Sequence, residues 1–382
     1  MTTDHPSAPR DAPETAVGTS VNVLPTPCLV VDEDRMRANM DRAQAYADAQ
    51  EVRLRPHAKT HKSPALAREQ VARGAVGICV AKLGEAEVMA DGGVHDVVMA
   101  HTPYGPDNAR RAARLARRIA FVVGVDHRRQ VEDLSAAAEA EGATVAVRVE
   151  VDTGAGRGGL APADVPGFLS WARERPGLHL QGLYTYEGYT YDAPDTKALF
   201  ERHREAQHRM VELAGRTTGA FTQPPVVSMG STPSQTAGVP LLDGITEIRP
   251  GTSIFHDAAQ AWLAGGLDRC AAFVVATVVS RTGDRAILDA GSKSLTTDAR
   301  PAGVCATRGY GRIAGTDVVL TRLSEEHGVV EGPDAEALAV GDRVAIVPNH
   351  ICPVVNLFDH LTLARNGRVT RVLPVASRGR TA

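Results

Sequence analysis

Aromatic side chains are scarce in this 382-residue chain, at 4%, which argues against a surface that stacks on nucleic-acid bases. Charge of one sign is also missing: 42 Lys and Arg against 45 Asp and Glu leave a net charge of −3. Neither nucleic acid nor an anionic membrane is therefore expected as the main partner. No apolar run approaches the ~20 residues that a membrane-spanning helix needs. Cysteines are few, odd in number and scattered (Cys28, Cys79, Cys270, Cys305, Cys352), so no disulfide framework is expected and a reducing cytoplasm is the natural setting. Lysine is the rarest basic residue, with only Lys59, Lys62, Lys82, Lys197 and Lys293 among the 42. A lysine kept in an arginine-rich chain points to a required primary amine, because guanidinium forms no Schiff base. Drift on a surface helix explains any single one of them as well.

What is present is alternation. The first twenty residues are polar and rich in Pro, Ala and Thr, with no apolar core of a signal peptide, so residues 1–21 are expected to be a disordered tail. From residue 51 short β-branched runs (EVRLRPHAK, VGICVA, DVVMA, IAFVVGV, TVAVRVEVD, LHLQGLYTYE, PPVVSMG, ITEIRP) alternate with helix-period stretches such as SPALAREQVARG and TKALFERHREAQHRMVELAG. Eight such units predict an α/β fold, a (β/α)8 TIM-type barrel over 22–255, with a doubly wound open sheet as the alternative. Residues 256–382 lose the long helical periods and predict a mainly β domain. The early run NVLPTPCLVVD fits either unit.

Four stretches carry chemistry. RPHAKTHK ends the first barrel strand, so Lys59 is expected at the C-terminal face, with His57 and His61 two residues to either side. A nucleophilic amine and a basic loop for a substrate carboxylate explain it equally. SMGSTPS, ending the seventh strand, and RPGTS, ending the eighth, suit a phosphate, since small residues let backbone N–H groups approach it. An ordinary Gly-Ser loop is the plainer account. In DTGAGRGGL, Gly154, Gly156 and Gly159 satisfy a dinucleotide spacing. They follow the fifth strand rather than the first, however, and Arg157 is the more informative residue, as a ligand to a ring nitrogen or a carboxylate. In VPNHICPVVNLFD, His350 and Cys352 stand two apart and would share one face of a strand, a pair of zinc-type donors; a core cysteine beside a chance histidine reads the same. LSEEHG adds Glu325, Glu326 and His327 as further donors, or as a solvated turn.

Together, in this order, RPHAKTHK, GEAEV, DTGAGRGG, YEGYTY, GSTPS, TEIRPGT, DAGSKS, LSEEHG and the H-x-C element resemble the D-threonine aldolase/D-serine dehydratase family of fold-type III PLP enzymes, relatives of alanine racemase. The resemblance runs from LPTPCLVVD to VVNLFD. It implies that Lys59 carries pyridoxal 5'-phosphate, that Gly230, Ser231, Thr232, Gly251 and Thr252 hold its phosphate, and that Tyr186 and Arg157 touch cofactor or substrate. His57 joins Lys59 and Tyr186 in the catalytic set. His350 and Cys352 would bind a divalent metal, zinc or else manganese. A homodimer acting on small D-amino acids is implied, with no nucleic acid and no membrane.

The family splits by chemistry. Dehydratase members resemble this chain in H-x-C, whereas aldolase members carry H-x-D and a histidine beyond the YEG-like tyrosine, absent from YTYEGYTYDAPD. The expected reaction is dehydration of D-serine, D-threonine or 3-hydroxyaspartate to a 2-oxo acid and ammonia. Retro-aldol cleavage to glycine and an aldehyde is the alternative, racemisation a more remote one. A non-catalytic PLP carrier and a Rossmann oxidoreductase complete the set. Ser253 departs from the family, which places an aromatic residue there.

Overall fold

The computed structural model describes residues 16–382. Most of the expected tail, residues 1–15, lies outside the described residues. The described residues fold as two compact units, a barrel unit of residues 40–59, 64–253 and 379–382, and a sheet unit of residues 16–39, 60–63 and 254–378. The run NVLPTPCLVVD goes to the sheet unit. Its strand β1 (Cys28–Asp32) pairs antiparallel with residues 272–275 and parallel with residues 362–364.

The barrel unit contains β2 (Arg53–Leu54), β3 (Ile78–Val80), β4 (Asp96–Met99), β5 (Ala120–Val125), β6 (Val145–Glu150), β7 (Leu178–Tyr184), β8 (Val226–Met229) and β9 (Glu247–Ile248). These are the eight runs that the sequence picks out. Each pairs in parallel with the next, and β9 returns to β2. A bridge between His57 and Cys79 closes β2 onto β3, with the Ala58 N–H donating to the Cys79 carbonyl at 2.7 Å. The sheet never reverses its order, which removes the open doubly wound alternative.

Helices lie between the strands, and Arg128–Glu141 shows why. His127 Nδ1 accepts from the Arg129 N–H at 3.2 Å and Gln130 reaches back to the His127 N–H at 2.9 Å. Such a reciprocal cap stabilises a helix start by about 1 kcal/mol. Val131, Leu134, Ser135 and Ala138 recur on one buried face, and Gly142 ends the helix in the left-handed conformation at φ 59°. After β8 the connection shrinks to the five-residue helix Thr232–Thr236.

Strand alternation sorts the barrel's two faces. Val147 and Val149 of β6, with Val227 and Met229 of β8, join the apolar layer under the helices. Arg148, Glu150 and Ser228 therefore point inward. The interior is polar rather than aliphatic. Glu247, fully buried, accepts from Arg55 Nε at 2.8 Å and pairs with Arg148. Burial alone would raise its pKa, but Arg148 and Arg55 outweigh this and hold the carboxyl far below the usual range. Gly124 makes room for the neighbouring Tyr184, since a Cβ there would stand 2.2 Å from the phenol oxygen.

The sheet unit adds β10 (Ala272–Thr282), β11 (Arg285–Leu288), β12 (Arg312–Ile313), β13 (Arg322–Leu323), β14 (Gly328–Glu331), β15 (Arg343–Val347), β16 (His360–Arg365) and β17 (Arg368–Pro374). Their order is β13-β14-β11-β10-β1-β16-β17, with β15 on β10 and β12. Residues 16–21, which composition assigns to the tail, are tied to this sheet. The Gly18 N–H donates to the Val369 carbonyl at 2.8 Å, and the Val369 N–H donates to that of Thr19 at 2.9 Å. Among the described residues no helix is long and apolar enough to cross a membrane.

Candidate active site

Lys59 stands just past β2, at the C-terminal end of the barrel where catalytic groups gather in this architecture. Its Nζ lies 5.7 Å from the centre of the Tyr186 ring, and Arg157 Cζ lies 4.6 Å from the same ring. Each contact is of cation–π type, worth roughly 0.5–2 kcal/mol. Two cations thus share one phenol at the ends of β2, β6 and β7. The Lys59 backbone N–H approaches His57 Nδ1 at 3.4 Å, so His57 shapes the turn carrying the amine. His61 belongs to the sheet unit, fully buried, with Nδ1 accepting from the Ser63 N–H.

Glu150, which the sequence did not single out, borders this group. Burial pushes its pKa up, against the Tyr184 hydroxyl at 3.0 Å and the Arg157 guanidinium at 3.9 Å. A second lysine, Lys82, stands after β3 with Nζ 3.2 Å from His101 Nε2 after β4.

The small-residue loops after β8 and β9 come together. Thr232 Oγ1 accepts from the Gly251 N–H at 3.1 Å and the Thr252 N–H at 3.2 Å, locking one loop to the other. Ser231 Oγ meets Thr190 Oγ1 at 3.0 Å. The Gly230 N–H is engaged by the buried Glu187 carboxylate at 3.1 Å. Gly230 is needed for its bareness instead, because a Cβ would stand 2.7 Å from Arg249 Nη2. Thr252 Oγ1 is buried without a hydrogen-bond partner, a costly state unless a ligand supplies one.

In the sheet unit His350 and Cys352 meet, though not on a strand. His350 is the extended residue before the helix Ile351–Val355 and Cys352 lies within it. The reason is remote in sequence: buried Asp257 accepts the Ile351 N–H at 3.0 Å and so caps that turn. Cys352 Sγ contacts Thr60 Oγ1 at 3.1 Å, and His350 Nδ1 lies 2.7 Å from Asp298 Oδ2. Burial opposes protonation of His350, but Cys352, Asp257 and Asp298 outweigh it and push its pKa up to about 9. A cationic imidazole against a sulfur is a donor set in which a divalent metal can replace the proton. Among the described residues no three His, Cys, Asp or Glu side chains cluster as metal ligands.

Residues 31–259 match the model of the alanine racemase N-terminal domain, and residues 271–364 that of a putative serine dehydratase domain. A D-threonine aldolase from Arthrobacter sp. is 34% identical over 369 residues, 93% of each chain. A D-threo-3-hydroxyaspartate dehydratase from Delftia sp. (strain HT23) is 35% identical over 373 residues, 91% of this chain and 96% of the other. The chain belongs to the D-threonine aldolase/D-serine dehydratase family of fold-type III PLP enzymes. Solved structures of two D-threo-3-hydroxyaspartate dehydratase variants, a histidine-to-alanine change and a cysteine-to-alanine change two positions on, match with TM-scores of 0.87 and 0.86. Both are 30% identical, covering 94% and 93% of this chain and 96% and 98% of theirs; the second is a metal-free form.

Membership of the D-threonine aldolase/D-serine dehydratase family agrees with what the remaining motifs do. The N–H groups of Gly154 and Gly156 are bonded to the Asp152 carboxylate and that of Gly159 to Asp126, so this loop offers no pyrophosphate cradle. Glu325 and Glu326 are exposed and pair with Lys293 at 2.8 and 2.9 Å, the solvated-turn account of LSEEHG.

Proposed function

We propose that the protein is a PLP- and metal-dependent lyase of β-hydroxy-D-amino acids, releasing a 2-oxo acid and ammonia from D-serine, D-threonine or 3-hydroxyaspartate. The observation that carries this reading is the Lys59 amine facing the Tyr186–Arg157 stack at the end of β2. The two neighbouring loops after β8 and β9 leave the Thr252 hydroxyl buried and unpartnered. That hydroxyl, between loops of small residues, fits a phosphate. When bound, pyridoxal phosphate supplies the electron sink for charge left at Cα. Lys59 Nζ takes the Cα proton and gives it up to the departing hydroxide. Arg157 fixes the ring nitrogen or a carboxylate, and Tyr186 covers the amine. His350 and Cys352 would hold the metal, whose Lewis acidity suits a β-hydroxyl that must leave as hydroxide. Loss of the Cα proton and the hydroxide gives water and an enamine, which hydrolyses to the 2-oxo acid and ammonia.

The H-x-C pair and the missing histidine after Tyr186 favour dehydration. Cleavage to glycine and an aldehyde is the second reading, supported by the near-equal identity to the Arthrobacter aldolase. Incubation with D-serine, D-threonine and D-threo-3-hydroxyaspartate, with and without a chelator, separates them. Dehydration predicts 2-oxo acid whose release falls at least ~100-fold on chelation, since metal assistance is worth several kcal/mol. Glycine with aldehyde assigns the aldolase branch, and a colourless protein unresponsive to added cofactor sinks both.

The phosphate assignment has its own test. Thr232→Val removes the acceptor that orients the Gly251 and Thr252 N–H groups. Loss of about 1 kcal/mol or more of hydrogen bonding should weaken cofactor binding roughly tenfold in a visible-absorbance titration.

A further inference from the structure

We infer that Asp298 is a positioning residue for the metal pair, fixing His350 so that its Nε2 is the ligating nitrogen. The inference rests on the proposed metal role of His350 and Cys352. Asp298 Oδ2 lies 2.7 Å from His350 Nδ1. A carboxylate accepts only, so the proton of a neutral imidazole is held on Nδ1 and the lone pair is left on Nε2.

The Asp298 carboxylate is itself half exposed, and what keeps it beside the imidazole is its main chain. Its own backbone is pinned by the residue preceding His350. Asn349 Nδ2 donates to the Asp298 carbonyl at 3.0 Å and to the Gly309 carbonyl at 2.8 Å, and Asn349 is buried. One dipeptide, Asn349-His350, thus grips Asp298 by main chain and side chain together. The opposite flank is fixed as well, because Asp257 accepts the Ile351 N–H at 3.0 Å and sets the turn that brings Cys352 round. The imidazole is held from one side, the thiol-bearing turn from the other. With His350 and Cys352 as ligands, affinity depends on how well each is pre-oriented, and loss of an outer carboxylate partner weakens metal sites by ~10–100-fold.

The experiment is calorimetric titration of Zn2+ into the chelator-stripped, cofactor-loaded enzyme. Asp298→Ala should bind Zn2+ some 10–100-fold more weakly than the unmodified protein, with cofactor absorbance and melting temperature unchanged. Asp298→Asn keeps the size, covers the case of an unfolded Ala variant and should also weaken binding, whereas Asp298→Glu should restore part of it. In long-range 1H–15N spectra of the zinc-loaded protein, the His350 ring, identified by its loss in His350→Ala, should be protonated at Nδ1. The same ring should lose that single tautomer in Asp298→Asn. Zn2+ affinity within threefold of the unmodified value in both Asp298→Ala and Asp298→Asn overturns the inference. If the unmodified protein binds Zn2+ no better than His350→Ala, the metal role itself falls, a failure distinguishable from that of Asp298.

Discussion

Lys59→Ala should abolish product release by roughly ten-thousand-fold, the upper range for removing a positioned proton-transfer group, and Lys59→Arg should do no better. The second variant is the sharper of the two. Arginine keeps a cation against the Tyr186 ring, where Lys59 Nζ now lies 5.7 Å from the centroid, so a merely electrostatic role would survive. Guanidinium neither forms an imine nor accepts a proton near neutral pH. Borohydride reduction of the unmodified protein with its cofactor, followed by peptide mass analysis, should place the added pyridoxyl phosphate on Lys59. Lys82, held 3.2 Å from His101, is the natural control, and Lys82→Ala should keep the label at 59. Label on any other lysine, or activity of Lys59→Ala within tenfold of normal, would remove the central assignment.

Glu247→Ala should be the most damaging change to stability. The carboxylate sits at zero exposure between Arg55 and Arg148, whose own side chain is 1% exposed. Its removal leaves Arg148 buried without a counter-charge, which costs about 3–5 kcal/mol. Set against a whole-protein stability of about 5–15 kcal/mol, that amounts to a fall in Tm on the order of 10 °C. Because the pKa of Glu247 is depressed, its contribution is complete above the usual glutamate value, ~4.3, and is lost only as the pH falls below it. A melting experiment at pH 7 therefore sees the full effect. The double replacement Arg148→Met with Glu247→Leu should recover much of it, since the loss comes from the stranded charge rather than the missing pair. A Tm for Glu247→Ala within 2 °C of normal at pH 7 would show that water reaches the barrel interior.

The eight barrel strands were legible because each is a short β-branched run between helical periods, a local property. Strand β14 (Gly328–Glu331) carries no period of its own, being four residues next to a charged turn; it exists through pairing with β11 and β13. The His350–Cys352 pair was legible as a pair but not as a turn, since the acceptor that bends the chain there is Asp257, nearly a hundred residues earlier. Asp298 was invisible for the same reason. Nothing in LTTDARP announces a partner 52 residues away. The polar barrel interior was hidden too: TEIRP reads as an ordinary strand end until closure brings Glu247 to Arg148, 99 positions before it. Gly230 was singled out for its N–H, whereas the structure uses its missing side chain.

Among the described residues strand β1 is the first, and it sits in the middle of the larger sheet, between β10 and β16. Val30 lies opposite Phe273 on one side and Thr362 on the other. During synthesis this segment therefore leaves the ribosome long before either neighbour exists, with both of its hydrogen-bonding edges bare. The intervening residues can pair strand by strand as they emerge, each barrel strand beside the one just made. The sheet cannot, because its central strand is made roughly 240 and 330 residues before the two strands that flank it. Closing loops of that length slows folding and prolongs the exposure of an adhesive edge. The half-made chain is thus vulnerable to aggregation at a strand whose two edges the finished sheet covers on both sides.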